Sequence, residues 1–313
     1  MKRTDFIYKG LDEKEIHAIK WEPECESKAV IQIAHGMAET AIRYERFARR
    51  LSENGYTVYI NNHRGHGDNE ETPETLGYLA DKDGFDFLVS DMKILTDIIK
   101  KDNEDIPLFA FGHSMGSFAL QKYLIDYPGN LNGAVLCGSN GDFGFILKAS
   151  KPVISLVELI KGQKSKSKFI NNLMFGMNNN AYDNKRTDFD WLSRDEKEVD
   201  KYIADEKCGF VCTVEFYRDF IKGLEYVENR ENLKKLCVNH PLLIVSGDMD
   251  PIGKNGKGVK NLYERYKKYG INDIEIKLFE GARHEILNEI NREEVMDYLI
   301  SWFDEKLRKI KNI

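Results

Sequence analysis

PLFAFGHSMGSFALQKYLIDYP, residues 107–128, decides how the rest of the chain is read. It opens on a continuous apolar run ending in glycine, as expected of a strand buried on both faces. It closes on a helical segment stopped at Pro128. Between them stands Gly112-His113-Ser114-Met115-Gly116, a G-x-S-x-G placed between strand and helix, which is the context such a motif requires. The turn there is sharp. Gly112 and Gly116 carry no side chain to collide in it, and Ser114 is pushed out above the sheet edge.

The same rhythm extends in both directions. DFIYKG and EIHAIKWEP read as an opening antiparallel pair. AVIQIAHG (29–36) is a buried strand. The following segment, through Gly55, has helical spacing with Ile42, Phe47, Ala48 and Leu51 on one side. TVYINN (57–62) is the next strand. The polar loop HRGHGDNEETPETLG leads to the helix FDFLVSDMKILTDIIKK, and GAVLCGSN (133–140) follows the quoted stretch as a fourth buried strand. From about 141 to 225 the pattern becomes helical or irregular, with a solvated basic loop at KGQKSKSK (161–168) and a polar break at NNNAYDNKR. The βα alternation resumes with PLLIVSGDMDP (241–251), a helix, the strand IEIKLFEG (274–281) and a closing helix over roughly 291–311. Such alternation predicts an α/β fold with a mostly parallel sheet covered on both faces. The expected organisation is a core of residues 1–140 and 226–313, with a helical cap at 141–225 over the carboxyl ends of the strands, where ligands bind in these sheets.

Composition narrows the class of function. The chain has 313 residues, 42% hydrophobic and 31% charged, with a formal net charge of −6. That is an ordinary globular balance with no basic face to suggest a nucleic-acid partner. The first twenty-one residues hold no apolar run of signal-peptide length, and no segment approaches the roughly 20 apolar residues that span a bilayer. A cytoplasmic location is expected. The five cysteines are odd in number and irregularly spaced, so free thiols are expected, Cys208 and Cys212 included. His63, His66 and Asp68 invite a metal reading, but HRGHGD has no further ligands nearby and its glycines fit a turn. No metal and no cofactor is expected.

A serine hydroxyl needs a base to become nucleophilic, and the base needs an acid to orient it. With this elbow the chain order is Ser, then Asp or Glu, then His. Two later strand ends supply these types: VSGDMDP offers Asp248 and Asp250, and LFEGARHE offers His284. An oxyanion would meet the backbone N–H of Met115, after the serine, and that of Met37 in the loop His35-Gly36-Met37-Ala38-Glu39. His35 and His113 are expected to buttress these loops.

Taken in order, HGMAE, RGHG, GHSMG, GDMDP and GARHE resemble the monoacylglycerol lipase and lysophospholipase branch of the α/β-hydrolase family, and the match runs along nearly the whole chain. FDWLSRDEKEVDKYIADEKCGF also looks like the cap of bacterial members. The resemblance implies an α/β-hydrolase fold in which Ser114 is nucleophile, Asp250 acid and His284 base, with Met37 and Met115 donating to the oxyanion. Asp250 is preferred to Asp248 because the family's acid is the third residue after the strand-end glycine, here Gly247. The chain departs from the family at Asn62, Asn69 and Ser117, where Asp, a small residue and glycine are usual. The activity implied is hydrolysis of a monoacyl lipid ester through an acyl-enzyme, with Phe143, Phe145, Ile146, Leu147, Val153, Ile154, Leu156, Val157, Leu159 and Ile160 of the cap either packing or lining an acyl channel. The cap also admits transient contact with a membrane surface. A thioesterase, a small-amide peptidase and a non-catalytic binding homologue stand as alternatives.

Overall fold

The computed structural model describes residues 1–182 and 185–311, without the side chains of Phe145, Ile146, Lys148 and Ala181. The strands are β1 (Lys2–Lys9), β2 (Glu15–Glu22), β3 (Ala29–Ala34), β4 (Tyr56–Asn61), β5 (Leu108–His113), β6 (Gly133–Cys137), β7 (Leu242–Gly247) and β8 (Ile274–Phe279). They form one sheet in the order β1-β2-β4-β3-β5-β6-β7-β8. β1 and β2 pair antiparallel, as does β2 with β4, and every later pair is parallel. The expected α/β architecture is therefore present.

The helices are α1 (Glu45–Glu53), α2 (Gly84–Asp102), α3 (Met115–Asp126), α4 (Phe145–Lys161), α5 (Lys168–Phe175), α6 (Glu196–Ala204), α7 (Val214–Glu228), α8 (Arg230–Leu233), α9 (Lys257–Lys268) and α10 (Arg292–Lys311). Strand alternation sends Val30 and Ala34 to the face packed by α2, α3 and α9, and Ile31 and Ile33 to the face packed by α1 and α10. Both faces are apolar, which is why the strands read as unbroken hydrophobic runs. Gln32 is the polar residue within β3. It is satisfied by donating to the Met92 carbonyl at 2.8 Å and accepting from the Thr96 hydroxyl at 2.7 Å.

Two local readings are corrected. Ile42 was expected on the buried side of a helix, but residues 41–44 form a 3-10 turn before α1, leaving Ile42 38% exposed while Tyr44 turns inward. The lysine side chains of 161–168 do face solvent, but the backbone is docked: Ser165 O accepts from Val214, Gln163 O accepts from Glu215, and buried Ser167 caps α5. The break NNNAYDNKR contains Asp183 and Asn184, which lie outside the described residues. Among the described residues no strand falls between β6 and β7, and α7 packs directly on α2 and α3.

The loop after β4 is fixed by charge. Arg64 is fully buried and makes a fork on Asp91 of α2, at 2.8 and 3.0 Å, with Asp12 at 3.1 Å on its other edge. Asn69 spans from β2 to the same loop, accepting from His17 N–H at 2.7 Å and donating to the Asn62 and His63 carbonyls. Asn62 accepts from the Ala41 N–H at 2.8 Å. The departures at 62 and 69 are thus amides that brace this loop. Removing one partner of a buried pair leaves the other uncompensated. Asp91→Ala is expected to lower unfolding free energy by about 3–5 kcal/mol, read as a reduced urea midpoint at unchanged slope.

Candidate active site

Ser114 follows β5 immediately and has φ 52° and ψ −121°, a conformation uncommon outside glycine. It is held there by its own N–H donating to Cys137 O at 2.9 Å, while its carbonyl accepts from Ser117 N–H at 2.8 Å and from the Ser117 hydroxyl at 2.7 Å. Ser117, the departure from glycine, therefore adds a bond to the turn. A Cβ on Gly116 would strike the carbonyl oxygens of Ala34 and His35, so only glycine lets α3 start this close to the end of β3. Met115 is the first residue of α3, so its N–H is one of the helix-start donors without an intrahelical partner.

The loop after β3 lies against the same serine. A Cβ on Gly36 would stand 3.3 Å from Ser114 Cβ, so the backbone immediately before Met37 lies close to Ser114. His35 buttresses that loop. Its Nε2 accepts from His63 N–H at 2.8 Å, which leaves Nδ1–H to donate to Gly36 O at 2.7 Å. This tautomer requires a neutral ring, and burial followed by the nearby rings of His63 and His66 holds His35 well below the usual imidazole range. Burial also brings His63 down to about 3 and His66 to about 4. Among the described residues no three His, Cys, Asp or Glu side chains are arranged to hold a metal ion, and all five cysteines are free.

Asp250 and His284 meet across the ends of β7 and β8. His284 Nδ1 lies 2.9 Å from Asp250 Oδ2, both residues being buried. Ser246 Oγ donates to the same carboxylate at 3.0 Å and Ile252 N–H to its other oxygen at 2.8 Å. Burial opposes ionisation of Asp250, but His284 and these donors outweigh it and hold the carboxyl below its usual value. Asp248 is spent elsewhere, accepting from Gly281 N–H at 2.7 Å. Burial likewise disfavours a charged His284, yet Asp250, then Glu285 and Glu39, raise it above the usual imidazole value. His113 stacks beside it with ring centroids 4.7 Å apart and is driven down to about 3 by burial and by that neighbour.

Residues from the segment between α5 and α7 touch all three loops. Tyr202 OH and Gly209 N–H both donate to Ala38 O at 2.9 Å. Tyr182 OH donates to Met249 O at 2.6 Å. His284 N–H donates to Trp191 O and Glu285 N–H to Leu192 O, with the Trp191 ring 5.0 Å from the imidazole. Sequence reasoning missed this and also missed the buried group Glu39, Arg43 and Glu285. The i,i+4 spacing of Glu39 and Arg43, and a glutamate directly after His284, were the available signals.

A serine in a strained strand–helix turn, an Asp–His pair at two later strand ends and a mostly parallel sheet define an α/β-hydrolase. The chain belongs to the family described as "Serine aminopeptidase, S33", whose model matches residues 25–291. Its relatives include a monoacylglycerol lipase of Mycolicibacterium smegmatis, 28% identical with 96% of both chains covered. Another is the monoglyceride lipase of Homo sapiens, 29% identical over 86% of this chain and 80% of that one. This is the branch that the motifs resemble. Among solved structures, a thermostable carboxyl esterase from Bacillus coagulans in complex with glycerol superposes with a TM-score of 0.91 at 26% identity, covering 98% and 99% of the two chains. A soluble variant of the Saccharomyces cerevisiae monoglyceride lipase shares the fold with a TM-score of 0.74, 20% identity, and coverage of 96% and 94%.

The imidazoles should titrate far apart. NMR-detected titration is expected to place the His284 midpoint above that of an ordinary imidazole and to find His63 and His113 neutral down to about pH 4, since each is held at about 3.

Proposed function

We propose that this chain hydrolyses the esters of single-chain lipids, monoacylglycerol or lysophospholipid, through an acyl-enzyme on Ser114. Carboxylic ester hydrolysis is supported by the family match, the monoacylglycerol lipase relatives and the esterase fold neighbour. The acyl-enzyme route is supported above all by the Asp250–His284 pair at 2.9 Å and the strained Ser114 turn. His284 takes the serine proton as Ser114 attacks the ester carbonyl. Asp250 keeps Nδ1 protonated and stabilises the imidazolium, and the N–H groups of Met37 and Met115 receive the oxyanion. The alcohol leaves with the proton from His284, and water activated by the same base releases the fatty acid.

The lipid part rests on the cap, which we place at 141–225. Its named apolar residues divide. Leu147 and Ile154 are buried, and Phe143 packs on Phe118 with ring centroids 5.2 Å apart, so these hold the cap to the core. The side chains of Phe145 and Ile146 lie outside the described residues. Leu156, Leu159 and Ile160 of α4 and Phe169, Leu173 and Met177 around α5 are exposed. These side chains, with Lys161, Lys164, Lys166 and Lys168 lying between Ile160 and Phe169 in the chain, are the part we assign to transient contact with a lipid surface. Among the described residues no helix is long and apolar enough to cross a membrane.

Two measurements test this. Asp250→Asn should lower kcat by about 10⁴, and Asp248→Asn far less; the opposite ranking would overturn the assignment of the acid. Across monoacylglycerols, lysophospholipids, acyl thioesters and aminoacyl amides, ester turnover should dominate and rise with acyl length, each buried methylene contributing about 0.8 kcal/mol. The family's description as an aminopeptidase gives the amide arm its interest. A flat length profile would remove the lipid reading.

A further inference from the structure

Behind the catalytic residues lies a buried ionic group that the proposed chemistry does not use. Arg43 makes a two-pronged contact with Glu285, Nη1 to Oε1 at 2.8 Å and Nη2 to Oε2 at 2.7 Å, and its Nη1 also donates to Glu39 Oε2 at 2.6 Å. Its side chain is 12% exposed and those of the carboxylates 4% and 7%. The other oxygen of Glu39 accepts from Gly36 N–H and from Tyr44 OH. The guanidinium sits 4.8 Å from the centre of the Tyr202 ring, and the Tyr202 hydroxyl is the one bound to Ala38 O.

These contacts fall on the two loops whose spacing matters most. Glu39 closes the Gly36–Met37–Ala38 loop through Gly36 N–H, and Glu285 is joined covalently to His284. Solvent-exposed ion pairs do little, but a forked guanidinium between two buried carboxylates holds distance and orientation together. We propose that Arg43 is a positioning residue of the reaction, spacing the loop that carries Met37 against the loop that carries His284 through Glu39 and Glu285. This rests on the reading of Ser114, Asp250 and His284 given above.

The charges bear out the arrangement. Burial works against an ionised Glu285, yet Arg43 outweighs it and brings the carboxyl to about 2. Glu39 is pushed up by burial, which Arg43 only partly offsets. Arg43 remains charged among Glu39, Glu285, Tyr44, Tyr202 and Cys208. The titratable groups facing His284 are Asp250, His113, Glu285 and Glu39, and both glutamates favour its protonated form.

A role in spacing has consequences that a role in stability alone does not. Arg43→Met should reduce kcat on p-nitrophenyl butyrate by about ten- to a hundredfold, the cost of a misplacement of about 1 Å, with KM within about twofold. Arg43→Lys, which keeps the charge but loses the fork, should recover only part of it. Glu285→Gln keeps the shape and removes a charge that raises His284, so the acid limb of kcat/KM should move to lower pH by a few tenths to about one unit. The neutral triple variant E39Q/R43M/E285Q removes the burden of unpaired charge. Once shown to be folded by near-UV circular dichroism, it should remain slow. Wild-type kcat in that folded variant, or an acid limb unmoved in Glu285→Gln, would overturn the inference. Loss of turnover in Ser114→Ala, measured in the same assay, tests the underlying reading separately: full activity there would sink the nucleophile assignment, whereas an inactive Ser114→Ala beside an unmoved acid limb in Glu285→Gln would sink only the role of Arg43.

Discussion

Ser114 stands at φ 52° and ψ −121°, a backbone state that costs a non-glycine residue on the order of 1–3 kcal/mol and persists only when its surroundings over-determine it. Here the surroundings do so. β5 is paired on both sides by parallel strands, α3 starts against the ends of β3, and Cys137 O takes the serine N–H. The remaining parts of the site can be understood as loops brought to this one fixed point from the ends of β3, β7 and β8.

The segment between β6 and β7 has two parts with different physical characters. Its first helices, α4 and α5, present apolar side chains to solvent, while Tyr182, Trp191, Leu192, Tyr202 and Gly209 donate to or accept from the backbone of the loops around Ser114. A movement of that whole segment as one body would break the bonds at Ala38, Met249, His284 and Glu285 together. Among the described residues α4 and α5 make no such bonds to these loops, so that part can move without breaking them.

Much of this was legible in the sequence because the signals are local. The buried parallel strands are continuous apolar runs, the elbow is five residues long, and Asp250 and His284 each sit a fixed few residues past a strand end. Ile42 was misread because a 3-10 turn and an α-helix share a polar–apolar pattern over one turn. The docking of residues 163–165 on 214–215 was invisible because it uses backbone atoms, which leave no residue-type signature. The Arg43 group joins residues 242 apart in the chain, and only the fold shows that they meet. The same holds for Trp191 against His284, for the proton positions on His35, and for Asp248 being taken by Gly281 N–H.

The central claim is that Ser114 forms a covalent bond during turnover, and trapping that bond tests it most directly. A fluorophosphonate added in slight excess should add one phosphonyl group to the intact protein, and peptide fragmentation should place it on Ser114. His284→Ala should label far more slowly, because the serine then lacks its base. Absence of an adduct on active protein, or an adduct that persists in Ser114→Ala at the wild-type rate, would contradict the account.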